Sequence, residues 1–263
     1  MEDLYLPLEK AKKLAVRAGR EILSVYNSGQ LFKEVEYKKD HSPLTRADKL
    51  SDQVIVEGLQ RSFPNWAILS EEEKDNMERL QNDYCFVVDP LDGTKEFLKR
   101  NGQFTVNIAL AYQHRSVMGV IYVPVTGELY YAAKGMGSFL QNAEGNVRQL
   151  HVSDIIDLGR VRLVMSSSHG CSEMEELIEK YQFKNIVRIG SSLKGCLVAK
   201  GDAEIYYRHN PTMEWDTAAM QCIAEEAGAI FRQMDDSEML YNRENSLNDK
   251  GFYIINRAEN RVR

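Results

Sequence analysis

Apolar residues near the start of the chain fall at Leu4, Leu8, Ala11, Leu14, Ala18, Ile22 and Val25, in steps of three and four. That period predicts one face of an amphipathic helix, ending before Asn27-Ser28-Gly29. The charged stretch KEVEYKKDHSPLT predicts a strand and then a loop, and Thr45 opens a second helix holding Leu50, Val54, Leu59 and Phe63 until Phe63-Pro64-Asn65 stops it. WAIL predicts a short strand running into the acidic loop SEEEKDN, and Cys85-Phe86-Val87-Val88 predicts a buried one. From Phe104 to Leu140 the pattern becomes strand-like. FTVNIALAY, SVMGVIYV and ELYYAA, parted by Gln113-His114-Arg115 and by Pro124 to Gly127, predict an antiparallel meander.

After GNVRQLHVSD the period alternates. VRLVMSSS, NIVRIGS, AEIYY, AIFRQM and GFYIIN predict strands, and SEMEELIEKYQF, SLKGCLVAKG and DTAAMQCIAEEAG predict helices. The expected class is α/β, shading into α+β. Two tightly packed halves are expected: residues 1–148, with an antiparallel sheet and a metal site, and residues 149–263, with a mixed sheet. No internal repeat, low-complexity segment or flexible linker interrupts them.

Composition changes this picture little. The 263 residues are 43% apolar and 27% charged, ordinary for a soluble globular chain. A net charge of −6 argues against general nucleic-acid affinity, yet it leaves room for a phosphorylated small molecule, because a bound metal or a local Lys reverses the field nearby. The four cysteines, Cys85, Cys171, Cys196 and Cys222, form no C-x-x-C pair and read as buried thiols in a reducing compartment. The N-terminal stretch lacks the apolar core of a signal peptide, and no run approaches the ~18 apolar residues of a membrane span. A cytoplasmic protein is expected, with oligomeric state and loose association with a membrane surface left open.

The chemistry gathers at element ends. Glu71 follows one strand, Asp89 and Asp92 follow the next, and Asp216 stands at the start of a helix. A buried strand ending in two carboxylates requires a cationic partner, because an unpaired buried charge is costly. Convergent carboxylates without His or Cys suit Mg²⁺ better than zinc, and a pair of ions about 3.5–4 Å apart would clamp both oxygens of a phosphoryl transfer. The Leu91 carbonyl offers a further oxygen, Gly93 permits close backbone approach, and Thr94 opens a helix whose first N–H groups would cradle phosphate. Taken singly, each has a plainer role: Asp216 as an N-cap, Glu71 as a solvated side chain, Asp92-Gly93 as a turn, and Asp48 as the partner of Thr45 in a capping box. The six residues DPLDGT weigh against those readings. Phosphatases with a D-x-D-G-T nucleophile are a poor match, because Pro90 stands where the attacking Asp would be. No P-loop or G-x-G-x-x-G lies between a strand and a helix.

DPLDGT together with WDTAA resembles the paired signatures of the inositol monophosphatase superfamily, the Mg²⁺-dependent, lithium-sensitive sugar phosphatases. LSEE, DPLDGTKEFLKRNGQFTVNIAL, IGSSLK and PTMEWDTAA are similar to its CysQ-type 3′(2′),5′-bisphosphate nucleotidase branch, and the similarity runs through most of the chain. The resemblance implies layers alternating as α-β-α-β-α. It implies Glu71, Asp89, Asp92, Asp216 and the Leu91 carbonyl as ligands of two or three Mg²⁺ ions, with Thr94, Asp48 and Glu71 handling the attacking water. It implies a small phosphorylated nucleotide as substrate: adenosine 3′,5′-bisphosphate, giving AMP, and also 3′-phosphoadenylyl sulfate, in the setting of sulfate assimilation. Ser166, His169, Gly190 and Lys194 would surround the nucleotide, and Gly93, Thr94 and Asp216 would also touch it. Lys194 answers a physical need, a cation for the second phosphate, although it also reads as a solvated helix residue and His169 as a loop residue. Ser167, where a basic residue is expected, and Gly195, where an aromatic is usual, depart from the pattern. The rivals are inositol phosphate or fructose 1,6-bisphosphate as substrate, and a non-catalytic Mg²⁺/nucleotide sensor.

Overall fold

The computed structural model of the chain describes residues 3–28, 36–37, 43–167 and 172–262. Helix α1 (Tyr5–Asn27) buries Leu8, Ala11, Leu14, Ala15, Ala18 and Ile22, the stripe expected from the three-and-four spacing. Two short strands, β1 (Glu36–Tyr37) and β2 (Pro43–Leu44), pair antiparallel ahead of α2 (Arg46–Ser62).

A seven-stranded sheet follows in chain order: β3 (Ala67–Ser70), β4 (Tyr84–Asp92), β5 (Thr105–Tyr112), β6 (Arg115–Val123), β7 (Glu128–Ala133), β8 (Gly137–Gln141) and β9 (Val147–Gln149). Strands β4 to β9 form the antiparallel meander. The edge strand β3 lies parallel to β4, so this sheet is not wholly antiparallel as expected. Helix α3 (Thr94–Leu98) is a short turn between β4 and β5.

The second sheet has the order β11 (Asn185–Ile189), β10 (Arg162–Ser166), β12 (Ile205–Arg208), β16 (Phe252–Ile255), β14 (Ile230–Gln233). Its first three strands are parallel and the last two antiparallel, so the sheet is mixed. Helices α4 (Ser172–Tyr181), α5 (Leu193–Ala199) and α6 (Glu214–Glu226) complete the chain, with a small pair β13 (Thr212–Met213) and β15 (Leu247–Asn248) beside α6.

The packing is layered α-β-α-β-α: α1 and α2, the first sheet, α5 and α6, the second sheet, then α4. This explains why CFVV reads as an unbroken apolar run. Phe86 and Val88 pack toward α1 and α2, while Cys85 and Val87 pack toward α5 and α6, so both faces of β4 are dry. Across the inner face the row Val87, Ala109, Gly119, Ala132 pairs strand to strand and forms a shallow trough for α6. Gly119 is needed there, since a Cβ would lie 2.3 Å from the Ala219 carbonyl oxygen of α6. The second sheet also divides its side chains: Phe252 and Ile254 meet the α5/α6 layer, and Tyr253 and Ile255 meet the layer holding Met174 of α4.

Candidate active site

The carboxyl end of β4, the amino end of α6 and the carboxyl ends of the parallel strands β10, β11 and β12 converge on one cleft of about 260 Å³. Parallel strands deliver their last residues to the same edge, which is where ligands bind in open α/β sheets. Ser166 ends β10, Gly190 follows β11 and Arg208 ends β12, and all three line the cleft. Glu71, Asp89, Leu91, Asp92, Gly93, Thr94, Lys194 and Asp216 line it as well. His169 lies outside the described residues.

Residues three apart on a regular strand face opposite sides. Asp89 and Asp92 nevertheless share one site, because the β4–β5 register shifts between them: Asp89 stands opposite Asn107 and Asp92 opposite Thr105. The bulge holds Pro90, which has no N–H to lose from the ladder, and its carbonyl accepts a 2.6 Å hydrogen bond from Ser51 Oγ. Gly93 caps α3 with φ 93, in the left-handed region.

One oxygen from each of Asp89, Asp92 and Asp216 lies within 4.8 Å of the other two. Glu71 lines the same cleft outside this trio. Each of the three carboxylates gives one oxygen to a protein donor. Leu91 N–H donates to Asp89 Oδ1 at 3.1 Å, Ser192 N–H to Asp92 Oδ2 at 2.6 Å, and Met213 N–H to Asp216 Oδ2 at 2.6 Å. The remaining oxygen of each receives no hydrogen bond among the described residues. Asp216 occupies the third position of α6, one turn inside the N-cap place that its sequence context had also allowed.

These carboxylates are under mutual stress. Burial, then repulsion from Glu71, Asp92 and Asp216, pushes the Asp89 carboxyl well above its ordinary range. Burial, then Asp92, pushes Asp216 up to about 7. A cluster of buried and half-buried, oxygen-only donors that repel one another fits a hard divalent cation, which would turn repulsion into coordination.

Asp48 reaches the cleft through Thr94. Its Oδ2 accepts from Thr45 N–H at 2.7 Å, closing the capping box, while its Oδ1 accepts from Thr94 Oγ1 at 3.3 Å. The capping and functional readings of Asp48 therefore coexist, one on each oxygen. Thr94 Oγ1 also stands 3.3 Å from the Leu91 carbonyl.

The same cleft also carries cations. Lys194 is 7% exposed, and its ammonium donates to the Ser191 carbonyl at 2.5 Å without an ion pair among the described residues. Burial lowers its pKa from 10.5 to about 8, against the pull of Asp92, Glu96 and Asp216. Arg208 stands beside it, with Nε donating to the Asn210 carbonyl and no ion pair among the described residues. Sequence reasoning ended that strand at Tyr207 and missed Arg208; an Arg closing an apolar run was the available signal.

The inositol monophosphatase family matches residues 6–260. The chain belongs to the inositol monophosphatase family. Within that family it is 42% identical over 251 residues to the 3′(2′),5′-bisphosphate nucleotidase CysQ of Salmonella typhimurium, covering 94% of this chain and 98% of that one. It is 40% identical over 249 residues to the Escherichia coli K12 protein of the same name, again with 94% and 98% covered. Its structure superposes on that of CysQ from Bacteroides thetaiotaomicron with a TM-score of 0.83 at 39% identity, covering 97% and 100% of the two chains.

At Gly195 a Cβ would lie 2.1 Å from Met220 Cγ, so α5 packs closely against Met220 of α6 there. Met220 thereby lines the cleft beside Tyr206 and Phe252. No helix among the described residues is long and apolar enough to cross a membrane.

Proposed function

We propose that this chain is a Mg²⁺-dependent 3′(2′),5′-bisphosphate nucleotidase that removes the 3′-phosphate of adenosine 3′,5′-bisphosphate to give AMP, and that it also accepts 3′-phosphoadenylyl sulfate. The observation that carries the reading is the mixed charge of one cleft: its lining holds a trio of carboxylates together with Lys194 and Arg208. A substrate with one phosphate to cleave and another to hold suits that combination, and inositol monophosphate has no second phosphate for Lys194 and Arg208 to bind. The bisphosphate nucleotidase relatives at about 40% identity point the same way.

Glu71, Asp89, Asp92, Asp216 and the Leu91 carbonyl would hold Mg²⁺, two or three ions in all. Bound there, Mg²⁺ supplies Lewis acidity, which makes water a nucleophile near neutral pH and stabilises the leaving ribose oxygen. Thr94 Oγ1 lies 3.3 Å from both Asp48 Oδ1 and the Leu91 carbonyl; with its hydrogen turned to Asp48 it would offer a lone pair to the attacking water and relay that water's proton to the carboxylate. Lys194 and Arg208 orient the nucleotide through its second phosphate. Burial of Asp89 and Lys194 keeps these charges in a low-dielectric setting, where they act strongly.

The test measures phosphate release from adenosine 3′,5′-bisphosphate, inositol 1-phosphate and fructose 1,6-bisphosphate, each with Mg²⁺, with chelator and with added lithium. Mg²⁺-dependent, lithium-inhibited release with kcat/KM highest for the nucleotide is expected. Preference for either sugar phosphate would refute the substrate, and absence of release from all three would refute the enzyme.

A further inference from the structure

The loop between β11 and α5 links Lys194 to the carboxylate cluster. Ser191 has φ 48, a left-handed conformation that costs a non-glycine residue about 1–2 kcal/mol. This turn sets one peptide group, Ser191 C=O with Ser192 N–H, between Lys194 and Asp92. The carbonyl accepts from Lys194 Nζ at 2.5 Å, and the N–H of the same peptide donates to Asp92 Oδ2 at 2.6 Å. The Ser192 side chain repeats the contact, donating from Oγ to Asp92 Oδ2, also at 2.6 Å. Asn107 Nδ2 donates to Ser192 Oγ at 2.8 Å, so the hydroxyl lone pair is occupied and its hydrogen points to the carboxylate. Asn107 is fixed in turn by Thr105 Oγ1, which donates to Asn107 Oδ1 at 3.0 Å. Ser192 is 2% exposed and Asn107 1%, so this network is held in a dry setting. Its geometric effect falls on Asp92, whose Oδ2 takes two short donors from Ser192 and lies 3.4 Å from Thr105 Oγ1 and from Asn107 Nδ2, while Oδ1 receives none among the described residues.

We propose that Ser192 is a positioning residue for the divalent-cation centre, holding Asp92 by one oxygen so that the other is presented to the cluster, and that it ties this orientation to the turn anchored by Lys194. The inference rests on the metal-dependent reading above. Partners that orient metal ligands typically contribute 10–100-fold in metal affinity, because they remove rotamer freedom from the ligand before the ion arrives.

The experiment is calorimetric titration of Mg²⁺ into chelator-stripped, substrate-free protein: the parent, Ser192→Ala, Ser192→Thr and Asn107→Ala. In parallel, the half-saturating Mg²⁺ concentration and the KM for adenosine 3′,5′-bisphosphate are measured for each. The expected result is an affinity for Mg²⁺ about tenfold weaker in Ser192→Ala, with KM at saturating Mg²⁺ within about twofold of the parent. Ser192→Thr, which keeps the hydroxyl, should recover most of the affinity, and Asn107→Ala should lose part of it. If Ser192→Ala fails to fold, Asn107→Ala, which breaks the same network from another strand, decides the question. Parental Mg²⁺ affinity in the folded variants would overturn the inference while leaving the proposed function intact. A parent chain that takes up no Mg²⁺ would overturn both.

Discussion

Lys194 is held in the fold at an energetic cost that its proposed role explains, and replacing it by Met separates the two. Its pKa falls from 10.5 to about 8, and burial is the leading cause. At about 1.4 kcal/mol per pH unit, keeping the ammonium charged in the free cleft opposes folding by about 3 kcal/mol. The folded state binds the proton less well than the unfolded chain. The cost is therefore full below pH 8, shrinks as pH rises through the window from about 8 to 10.5, and vanishes above it. Met fills a similar volume without charge. It also leaves the Ser191 carbonyl without its donor, a loss of about 1 kcal/mol. In chelator at pH 7 the Lys194→Met chain should therefore be more stable by about 2 kcal/mol, roughly 4–8 °C in Tm for a chain of this size. That gain should fade toward pH 10.5. Function should move the other way, since a charge-assisted contact to phosphate contributes about 1.5–3 kcal/mol. KM for adenosine 3′,5′-bisphosphate should then rise by about 10- to 150-fold, while adenosine 3′-phosphate, which lacks the second phosphate, is turned over nearly as before. The assays are thermal melts from pH 7 to 10.5 and steady-state kinetics on the two nucleotides. A variant less stable than the parent at pH 7 would show that Lys194 is not strained by burial, and one with unchanged preference for the bisphosphate would show that it is not reserved for that phosphate.

Two further outcomes follow from the carboxylate end. Asp89 and Asp216 have raised pKa values, the latter about 7, so the metal-free fold gains stability from their protonation below the unfolded pKa and loses it as pH climbs toward 7. The melting temperature of stripped protein should accordingly rise as pH is lowered from 8 to 5, and saturating Mg²⁺ should raise the pH 8 value most; a pH-independent melt would argue against a strained cluster. Replacing Thr94 by Val, which removes the hydroxyl held by Asp48 but not its bulk, should cut kcat by about 10²–10⁴ with little change in melting temperature, and Thr94→Ser should restore most of it; parental turnover in the Val variant would remove Thr94 from the reaction.

Much of this site was legible in the sequence because its residues sit where periodic patterns stop. Asp89 follows the apolar run of β4, Gly190 follows β11, and Asp216 lies in the first turn of α6. What escaped notice depends on pairing and turn geometry, which a local pattern does not encode. β3 and β4 each read as a strand, yet only the tertiary arrangement makes them parallel. Arg208 looked like the residue after a strand, and its importance arises because β12 runs parallel to β10 and ends at the same edge. Ser192 read as the first residue of the helix SLKGCLVAKG; the left-handed Ser191 turns the Ser192 N–H and hydroxyl onto Asp92.

The spacing of the two aspartates ties these observations together. In an unbroken strand Asp89 and Asp92 would point to opposite faces, one toward the helix pair α1 and α2 and one toward the cleft, and a carboxylate in that helical layer would have no cation to meet. The bulge at Pro90 brings both to the cleft side. It does so because the proline offers no N–H that the ladder would miss and because Ser51, from α2, takes up its carbonyl. The inner face of the same sheet must stay flat enough for α6 to deliver Asp216, which the small residues Ala109, Gly119 and Ala132 on β5, β6 and β7 permit. The motif DPLDGT is thus a statement about backbone shape as much as about ligands. A chain with both aspartates but a regular strand between them would hold one carboxylate in the site and lose the other to the core.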